Sequence, residues 1–305
     1  MQYRRIIIRP EDGYFKNVDD VIPLKRPSYR IHILLFTATV FTTTAVGAIM
    51  SGSNPFTSFQ GFFEGFPFSL TLLCILGVHE FGHYFTARFW KIQVTLPYFI
   101  PAPFLPIGTF GAVIRMKSSI PSRKALVDVG VSGPLAGFII ALVASYFGLL
   151  WSEIDLTPAK DSTYPMMMLG ESLIFKALGF IVHGNLPHDA VINLHPVAYA
   201  GWLGLFVTAL NLIPLGQLDG GHVLFALSPR IHELFRRLRL PVLVLMGITF
   251  WYGWFVWAVL SFVFARNHPY PDYMESDIGL MRTCLSITAL IIFILCFTPT
   301  PIKVG

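Results

Sequence analysis

The feature that most constrains this chain is a series of long apolar runs, each near the length needed to cross a lipid bilayer. A membrane-spanning helix needs about 20 apolar residues. Runs of this kind lie at 32–50, 66–87, 126–150, 197–215, 241–265 and 280–297. Only 13% of the residues are charged and 54% are hydrophobic, which excludes a disordered chain and a soluble enzyme. We therefore predict an all-α polytopic membrane protein with about six transmembrane helices.

Lysine and arginine residues alternate between the segments that connect these runs, and the alternation predicts an orientation. In chain order the segments carry 7, 0, 6, 2, 4 and 1 basic residues. Cytoplasmic loops carry the excess of Lys and Arg, so residues 1–31 are predicted to form a cytoplasmic tail. Six spans then place both termini on the cytoplasmic side. The net charge of +5 is explained by topology and does not predict a nucleic-acid partner.

One connecting segment, 88–125, is apolar but is unsuited to a regular helix. It contains four prolines within ten residues, and β-favouring runs flank them at 94–100 and 109–116. A proline in a helix interior removes a hydrogen bond and clashes with the preceding turn. Non-helical backbone at membrane depth must be buried in protein or line a cavity. We predict a membrane-associated β-hairpin or re-entrant loop over 94–117, and an interfacial loop is the alternative.

The second apolar run contains the motif HEFGH, in which His79 and His83 are four residues apart. On a helix the two imidazoles share one face, one turn apart, so both can reach a single metal ion. Glu80 lies about 100° further around the helix, where it can act on a metal-bound water without being a ligand. Ionisable residues inside a span are costly and are functional candidates by default. The alternative is a buried polar cluster that holds no metal.

Two histidines leave a catalytic zinc site incomplete, because such sites usually have three protein ligands and an open position. Asp219 is the only carboxylate in 190–232, and it follows the fourth apolar run in a segment that a proline and several glycines interrupt. We predict Asp219 as the third ligand. Its alternative role is the N-cap of a short helix over 220–228, and His222 is a competing ligand. Asn211 is suited to contact a substrate carbonyl or an oxyanion, or to form a helix–helix hydrogen bond.

These motifs together resemble the site-2 protease family of intramembrane zinc metalloproteases, in its bacterial or organellar form without a PDZ or CBS domain. The resemblance rests on HEFGH in the second run, on GPLAG in the third, and on NLIP followed by LDG at the end of the fourth. It covers about 66–228.

The resemblance implies a reaction and a role for each candidate residue. One Zn²⁺ per chain is held by His79, His83 and Asp219. Glu80 is the catalytic base, and Asn211 is a substrate-binding or transition-state contact. The expected reaction is hydrolysis of a peptide bond in or near a transmembrane segment of a membrane-protein substrate. The alternative is a transporter or channel that uses the same cluster to bind ions or protons.

The expected organisation follows from the spans and the resemblance. Residues 1–31 form the tail, and 32–65 form the first transmembrane helix and an outer loop. Residues 66–228 form the metalloprotease core, with three transmembrane helices and the hairpin 94–117. Residues 229–305 form the C-terminal transmembrane helices. The expected location is the lipid bilayer of a bacterial inner membrane, as a multi-pass protein.

Overall fold

A computed structural model describes residues 29–156, 167–187, 190–216, 218–263 and 277–304, and these residues are mostly helical. The helices are α1 (Arg30–Met50), α2 (Phe59–Phe63), α3 (Phe66–Phe89), α4 (Arg123–Leu150), α5 (Leu173–His183), α6 (Pro196–Leu212), α7 (Asp219–Leu227), α8 (Pro229–Thr249), α9 (Gly253–Val263) and α10 (Leu280–Cys296). In the described part of the chain, three helical stretches are long and apolar enough to cross a membrane: α1, residues 59–89 and α4. Shorter apolar helices are α5, α6, α9 and α10.

The described strands form three antiparallel pairs. They are β1 (Tyr98–Pro101) with β2 (Thr109–Val113), β3 (Glu153–Asp155) with β5 (Val191–Asn193), and β4 (Met167–Leu169) with β6 (Ile302–Val304). The strand β3 directly follows α4, and Gly170, next to β4, accepts a hydrogen bond from Trp202 in the first half of α6, which begins beside the last turn of α4. The second and third pairs therefore lie at the end of the helical bundle where α4 finishes. We call this the α4-end face, and the opposite one the α4-start face.

The centre of the bundle is formed by α3, α4 and α6, which approach closely because small residues line their contacts. A Cβ atom on Gly82 of α3 would lie 2.7 Å from the carbonyl oxygen of Ser132 in α4. A Cβ atom on Gly201 of α6 would lie 2.6 Å from the backbone nitrogen of Ser145. Such close helix approach is typical of membrane bundles. It brings the polar residues of α3 within reach of α4 and of the chain that follows α6.

The β1–β2 hairpin lies along α1. His32 Nδ1, in the first turn of α1, is 3.1 Å from the carbonyl oxygen of Pro97. The Thr42 hydroxyl, in the middle of α1, donates to the carbonyl oxygen of Gly108 at 2.7 Å. Ten residues of helix separate these contacts, which corresponds to about 15 Å. The strands fall within the stretch 94–117 that the sequence assigned to extended chain, and the relation of this hairpin to a bilayer stays a prediction.

The prediction of one transmembrane helix over 241–265 is wrong. The chain turns at residues 250–252 between α8 and α9, and the two helices pack side by side. A Cβ atom on Gly247 would lie 2.8 Å from the ring of Phe255, so the helices nearly touch beside the turn. Leu243 and Ala258, on either side of the turn, are buried in one cluster. The hydropathy of a stretch depends on how many apolar residues it contains and not on the direction in which the chain runs. A helical hairpin and a single span therefore have similar hydropathy.

The last helix, α10, runs parallel to α4. Arg282, in the first turn of α10, forms an ion pair with Asp128 near the start of α4, at 2.8 Å. At the other end, β6 pairs with β4 on the α4-end face. The described chain therefore begins, with α1, at the α4-start face and finishes at the α4-end face. The expectation that both termini share one side depended on 241–265 being one crossing, and the sides of the termini stay a prediction.

Reporter domains fused to the two ends of the chain test this direction. We expect a reporter before Met1 and a reporter after Gly305 to lie on opposite sides of the membrane. The α8–α9 hairpin leaves the chain on the side from which it entered, so α10 makes the number of crossings odd. Protection from a membrane-impermeant protease measures the side. A reporter inserted after Ser228 is the control and should lie on the side of Met1. The same side for Met1 and Gly305 would contradict the observed direction of α10.

Candidate metal centre

Two imidazoles from consecutive turns of α3 point into the centre of the bundle. His79 and His83 are 5% and 6% exposed, although both are polar. Their Nε2 atoms are 3.1 Å apart. The four-residue spacing in the sequence produces this arrangement, because residues i and i+4 lie above one another on a helix.

Asp219 reaches the histidines from a different part of the chain. Its Oδ2 atom lies 3.4 Å from Nε2 of His79 and 3.2 Å from Nε2 of His83. The helix α7 begins at this residue, but the position before the helix is Leu218 and no side chain caps it. The alternative role of Asp219 as an N-cap is therefore not observed.

The break between α6 and α7 directs Asp219 towards α3. The helix α6 ends at Leu212, before Pro214, which lacks the N–H that a helix needs. Gly216 has φ +57°, a conformation that costs glycine little. A Cβ atom on Gly220 would lie 2.1 Å from the carbonyl oxygen of Leu212. The chain thus reverses tightly at a point where only glycine fits.

The three side chains fit a tetrahedral zinc ion. In the described part of the chain, His79, His83 and Asp219 are the group of His, Cys, Asp and Glu side chains that could hold a metal. Zinc binds His nitrogen and carboxylate oxygen at about 2.0–2.2 Å, so two ligand atoms of a tetrahedral site lie about 3.3 Å apart. The observed separations of 3.1, 3.2 and 3.4 Å agree with this spacing. His222, which the sequence offered as a competing ligand, is not part of the group.

The ring of His83 is oriented by the backbone of α4. Its Nδ1 atom lies 2.7 Å from the carbonyl oxygen of Val129, which can only accept a hydrogen bond. Nδ1 therefore carries the proton, and Nε2 presents its lone pair towards His79 and Asp219. A partner of this kind fixes the tautomer and the ring orientation of metal-binding histidines.

Two glycines of α4 provide the space for the imidazoles. A Cβ atom on Gly133 would lie 2.1 Å from Nε2 of His83. A Cβ atom on Gly137, one turn later, would lie 3.1 Å from Nδ1 of His79. The GPLAG stretch indicated close helix approach, but its specific role against the histidine rings was missed. The signal was present in the matching four-residue spacing of the two glycines and the two histidines.

Glu80 lies beside the group and contacts the hairpin. It is 8% exposed, and its carboxylate faces the backbone N–H of Ile114, directly after β2. It is not a member of the three-residue group. The position is the one that the sequence assigned to a base that does not bind the metal.

Asn211 lies at the rim of the same group. Its Nδ2 atom is 3.3 Å from Nε2 of His79. The amide therefore lies next to one of the three candidate metal ligands. All five residues singled out in the sequence meet at one position, while their individual roles stay predictions.

Comparison with known proteins identifies a family and several relatives of this chain. Residues 67–251 match the model of the family described as Peptidase family M50. The probable chloroplastic zinc metalloprotease EGY2 of Arabidopsis thaliana is 30% identical over 247 residues, which cover 77% of this chain and 43% of that protein. Its counterpart EGY1 from the same plant is 31% identical over 241 residues, covering 76% of this chain and 42% of that protein. No solved structure matches.

These relatives set two limits on the comparison. The chain spans less than half the length of either protein. Their names place them in chloroplasts, so they give no support to the expected location in a bacterial inner membrane.

Replacement of Gly133 by alanine tests the fit of His83 against α4. Alanine is favoured over glycine inside a helix by about 1 kcal/mol, yet its methyl group would overlap the imidazole. We expect zinc affinity to fall by about 10- to 100-fold, the range typical of a disturbed metal-ligand environment. Equilibrium dialysis of the purified protein against zinc buffers measures the change.

The matched control for this variant is Gly77→Ala on α3. A Cβ atom there would meet only the ring of Phe99, at 3.7 Å, which is an ordinary contact. Zinc affinity should stay at the wild-type value. Equal zinc affinity in Gly133→Ala and Gly77→Ala would show that the ring of His83 does not depend on Gly133.

Proposed function

Because this chain belongs to peptidase family M50, we propose that it is a zinc metalloendopeptidase that hydrolyses a peptide bond in or near a transmembrane segment of another protein. The observation that carries the proposal is the convergence of His79, His83 and Asp219 at zinc-ligand spacing, with Glu80 beside them. Membership of the family favours hydrolysis over the alternative of ion transport, which needs no base next to a metal.

The side chains of His79, His83 and Asp219 would hold one zinc ion and leave a fourth position open for water and substrate. Zinc in such a site polarises a carbonyl group and lowers the pKa of water to about 7. Two neutral imidazoles and one carboxylate give the occupied site a net charge of about +1. This is a small charge to bury in the apolar bundle, and it leaves the zinc electrophilic.

Glu80 moves the proton in the proposed reaction. Its carboxylate accepts a proton from the attacking water as the water oxygen bonds to the scissile carbonyl carbon. The protonated Glu80 then donates this proton to the amide nitrogen as the C–N bond breaks. The backbone N–H of Ile114 faces this carboxylate from the hairpin.

Asn211 is suited to stabilise the carbonyl oxygen of the substrate. An amide N–H close to the site can donate to an oxygen on which negative charge develops. Its present partner is Nε2 of His79, the atom that would bind the metal. With a metal bound, that nitrogen is no longer available, and the amide of Asn211 is free to turn towards the substrate.

The hairpin is placed to receive an unwound substrate. Peptide carbonyls in a transmembrane helix are hydrogen-bonded within the helix, so a substrate must become extended before it is attacked. An extended segment can add to a strand edge, and β2 leads directly to the residue that contacts Glu80. The hairpin reaches the middle of α1, which supports a re-entrant position at membrane depth.

An apolar cleft next to α3 offers a path for such a segment. It has a volume of about 700 Å³ and lies between α1, α3 and β1. Gly77, Val78 and Phe81 line it, and these residues flank His79 and Glu80 on α3. Its lining is almost wholly apolar, which suits a transmembrane segment and not a soluble peptide.

The proposed topology is five crossings, formed by α1, α3, α4, α6 and α10, with α8–α9 as a hairpin that enters and leaves from one side. This replaces the six-span interpretation. The metal centre lies nearer the α4-start face, since Asp219 follows the end of α6 and packs beside Gly130 near the start of α4. The segments on this face carry the basic residues, so it corresponds to the cytoplasmic or stromal side.

The variant Glu80→Gln tests the proposed chemistry. The amide keeps the size of the side chain but cannot accept the proton, so cleavage should fall by at least about 100-fold. Zinc content should stay at one ion per chain, because Glu80 is not a ligand. Cleavage of a co-expressed single-span protein and metal analysis of the purified chain measure the two effects.

Ligand variants provide the contrast. His79→Ala and Asp219→Ala should lose zinc and cleavage together. Cleavage by Glu80→Gln at the wild-type rate would contradict the role of Glu80, and full zinc content in Asp219→Ala would contradict the ligand set.

The variant Val113→Pro tests strand addition at the hairpin. Proline removes the backbone N–H of Val113, which is paired with Tyr98, and so distorts the strand to which a substrate would add, whereas Val113→Ala keeps the strand and only shortens a half-exposed side chain. We expect cleavage to fall in Val113→Pro and to stay near wild type in Val113→Ala, with zinc content unchanged in both. Equal cleavage by the two variants would exclude a role for an intact β2.

A further inference from the structure

A second polar cluster lies close to the metal centre and joins three helices. The Asp128 carboxylate accepts hydrogen bonds from Arg282 Nε at 2.9 Å and from Arg282 Nη2 at 2.8 Å. It also accepts one from Trp90 Nε1 at 3.1 Å. The guanidinium carbon of Arg282 lies 5.7 Å from the centre of the Trp90 ring. The two charged side chains are 15% and 21% exposed, so the ion pair is largely withdrawn from solvent.

Two members of this cluster lie close in the chain to residues of the metal centre. Asp128 directly precedes Val129, whose carbonyl oxygen holds the ring of His83. Trp90 caps the end of α3, seven residues after His83, which is two helical turns or about 10 Å. The cluster therefore fixes α3 relative to α4 close to the place where His83 contacts Val129 and Gly133.

Arg282 enters the cluster from outside the part of the chain that matches the family. That match ends at residue 251, and α10 begins at Leu280. The bidentate geometry of an Arg–carboxylate pair restricts both distance and angle. A lysine would present a single point charge and would not impose the same restriction.

We propose that Arg282 is a positioning residue for the metal centre, and that it acts through Asp128 and Trp90 to hold the register of α3 against α4. Through Arg282, α10 belongs to the set of helices that holds the metal centre. The proposal rests on the proposed zinc site, but it concerns the affinity and geometry of that site and not the cleavage step.

The register matters because the contacts of His83 tolerate little movement. The distance from His83 Nδ1 to the carbonyl oxygen of Val129 is 2.7 Å, and Gly133 leaves no space behind the ring. A shift of α3 against α4 that moves His83 about 1 Å away from this oxygen would stretch the hydrogen bond beyond its usual range. The ring would then lose its orientation towards His79 and Asp219.

The test uses the purified full-length chain in detergent and four variants. Arg282→Met removes the positive charge and the two guanidinium N–H donors that contact Asp128. Arg282→Lys keeps the charge but not the paired donors. Trp90→Phe removes the indole N–H and reduces the ring but leaves the Arg282–Asp128 pair intact, so it keeps the test informative if the loss of Arg282 prevents folding. Arg237→Met is the matched control, because Arg237 is 73% exposed on α8 and pairs with Glu233 away from the metal centre.

The measured quantities are the affinity for Co²⁺ as a zinc substitute, the visible absorption spectrum of the bound Co²⁺, and the thermal midpoint of unfolding. We expect Arg282→Met to bind Co²⁺ about tenfold more weakly, in the range found for residues that orient metal ligands, with an altered spectrum. Trp90→Phe should show a smaller change in the same direction, and Arg282→Lys should recover only part of the affinity. Arg237→Met should match the wild type.

Two results would overturn the proposal. A lower thermal midpoint with wild-type Co²⁺ affinity and spectrum in Arg282→Met and Trp90→Phe would show that the cluster only stabilises the fold. A wild-type chain that binds no Co²⁺ would overturn this proposal together with the zinc site. A wild-type chain that binds Co²⁺ but cleaves no membrane protein would contradict the proposed function alone, since the affinity comparison does not depend on cleavage.

Discussion

The hydrogen bond from His83 to the carbonyl oxygen of Val129 is the contact on which the metal centre depends. It joins the helix that carries both histidines to the helix that leaves space for them at Gly133. Polar groups buried in an apolar bundle are costly unless each has a partner. Here one ring nitrogen of His83 is satisfied by α4, and the other faces His79 and Asp219. The same contact therefore offsets the cost of burial and sets the direction of the lone pair.

The interruption of the chain after α6 brings Asp219, the third candidate ligand, to the two histidines at a low conformational cost. A continuous helix would carry Asp219 past α3, because each further residue adds about 1.5 Å along the axis. Pro214 ends the helix, and the glycines at 216 and 220 allow the chain to reverse. Irregular backbone at membrane depth is tolerated where protein surrounds it. The break is thus a means of placing a carboxylate opposite two imidazoles, and it also brings Asn211 to the rim of the site.

The C-terminal part of the chain closes the bundle around this centre. The α8–α9 hairpin returns the chain to the α4-start face, so α10 crosses in the same direction as α4. Only in this direction does Arg282 meet Asp128, and only then does β6 reach β4 at the other end. The direction of one helix therefore accounts for an ion pair beside the metal centre, for a strand pair at the opposite face, and for the separation of the first and last described residues.

The sequence by itself determined the features that depend on local periodicity. The four-residue spacing of His79 and His83 and the apolar runs that became α1, α3 and α4 are properties of neighbouring residues on one helix. The composition of the segment around Asp219 also singled it out, since it is the only carboxylate there. Only the tertiary structure decided that α8 and α9 form a hairpin, that Gly133 and Gly137 seat the histidines, and that Arg282 pairs with Asp128. These features join residues far apart in the chain, and hydropathy does not encode the direction in which a helix crosses a bundle.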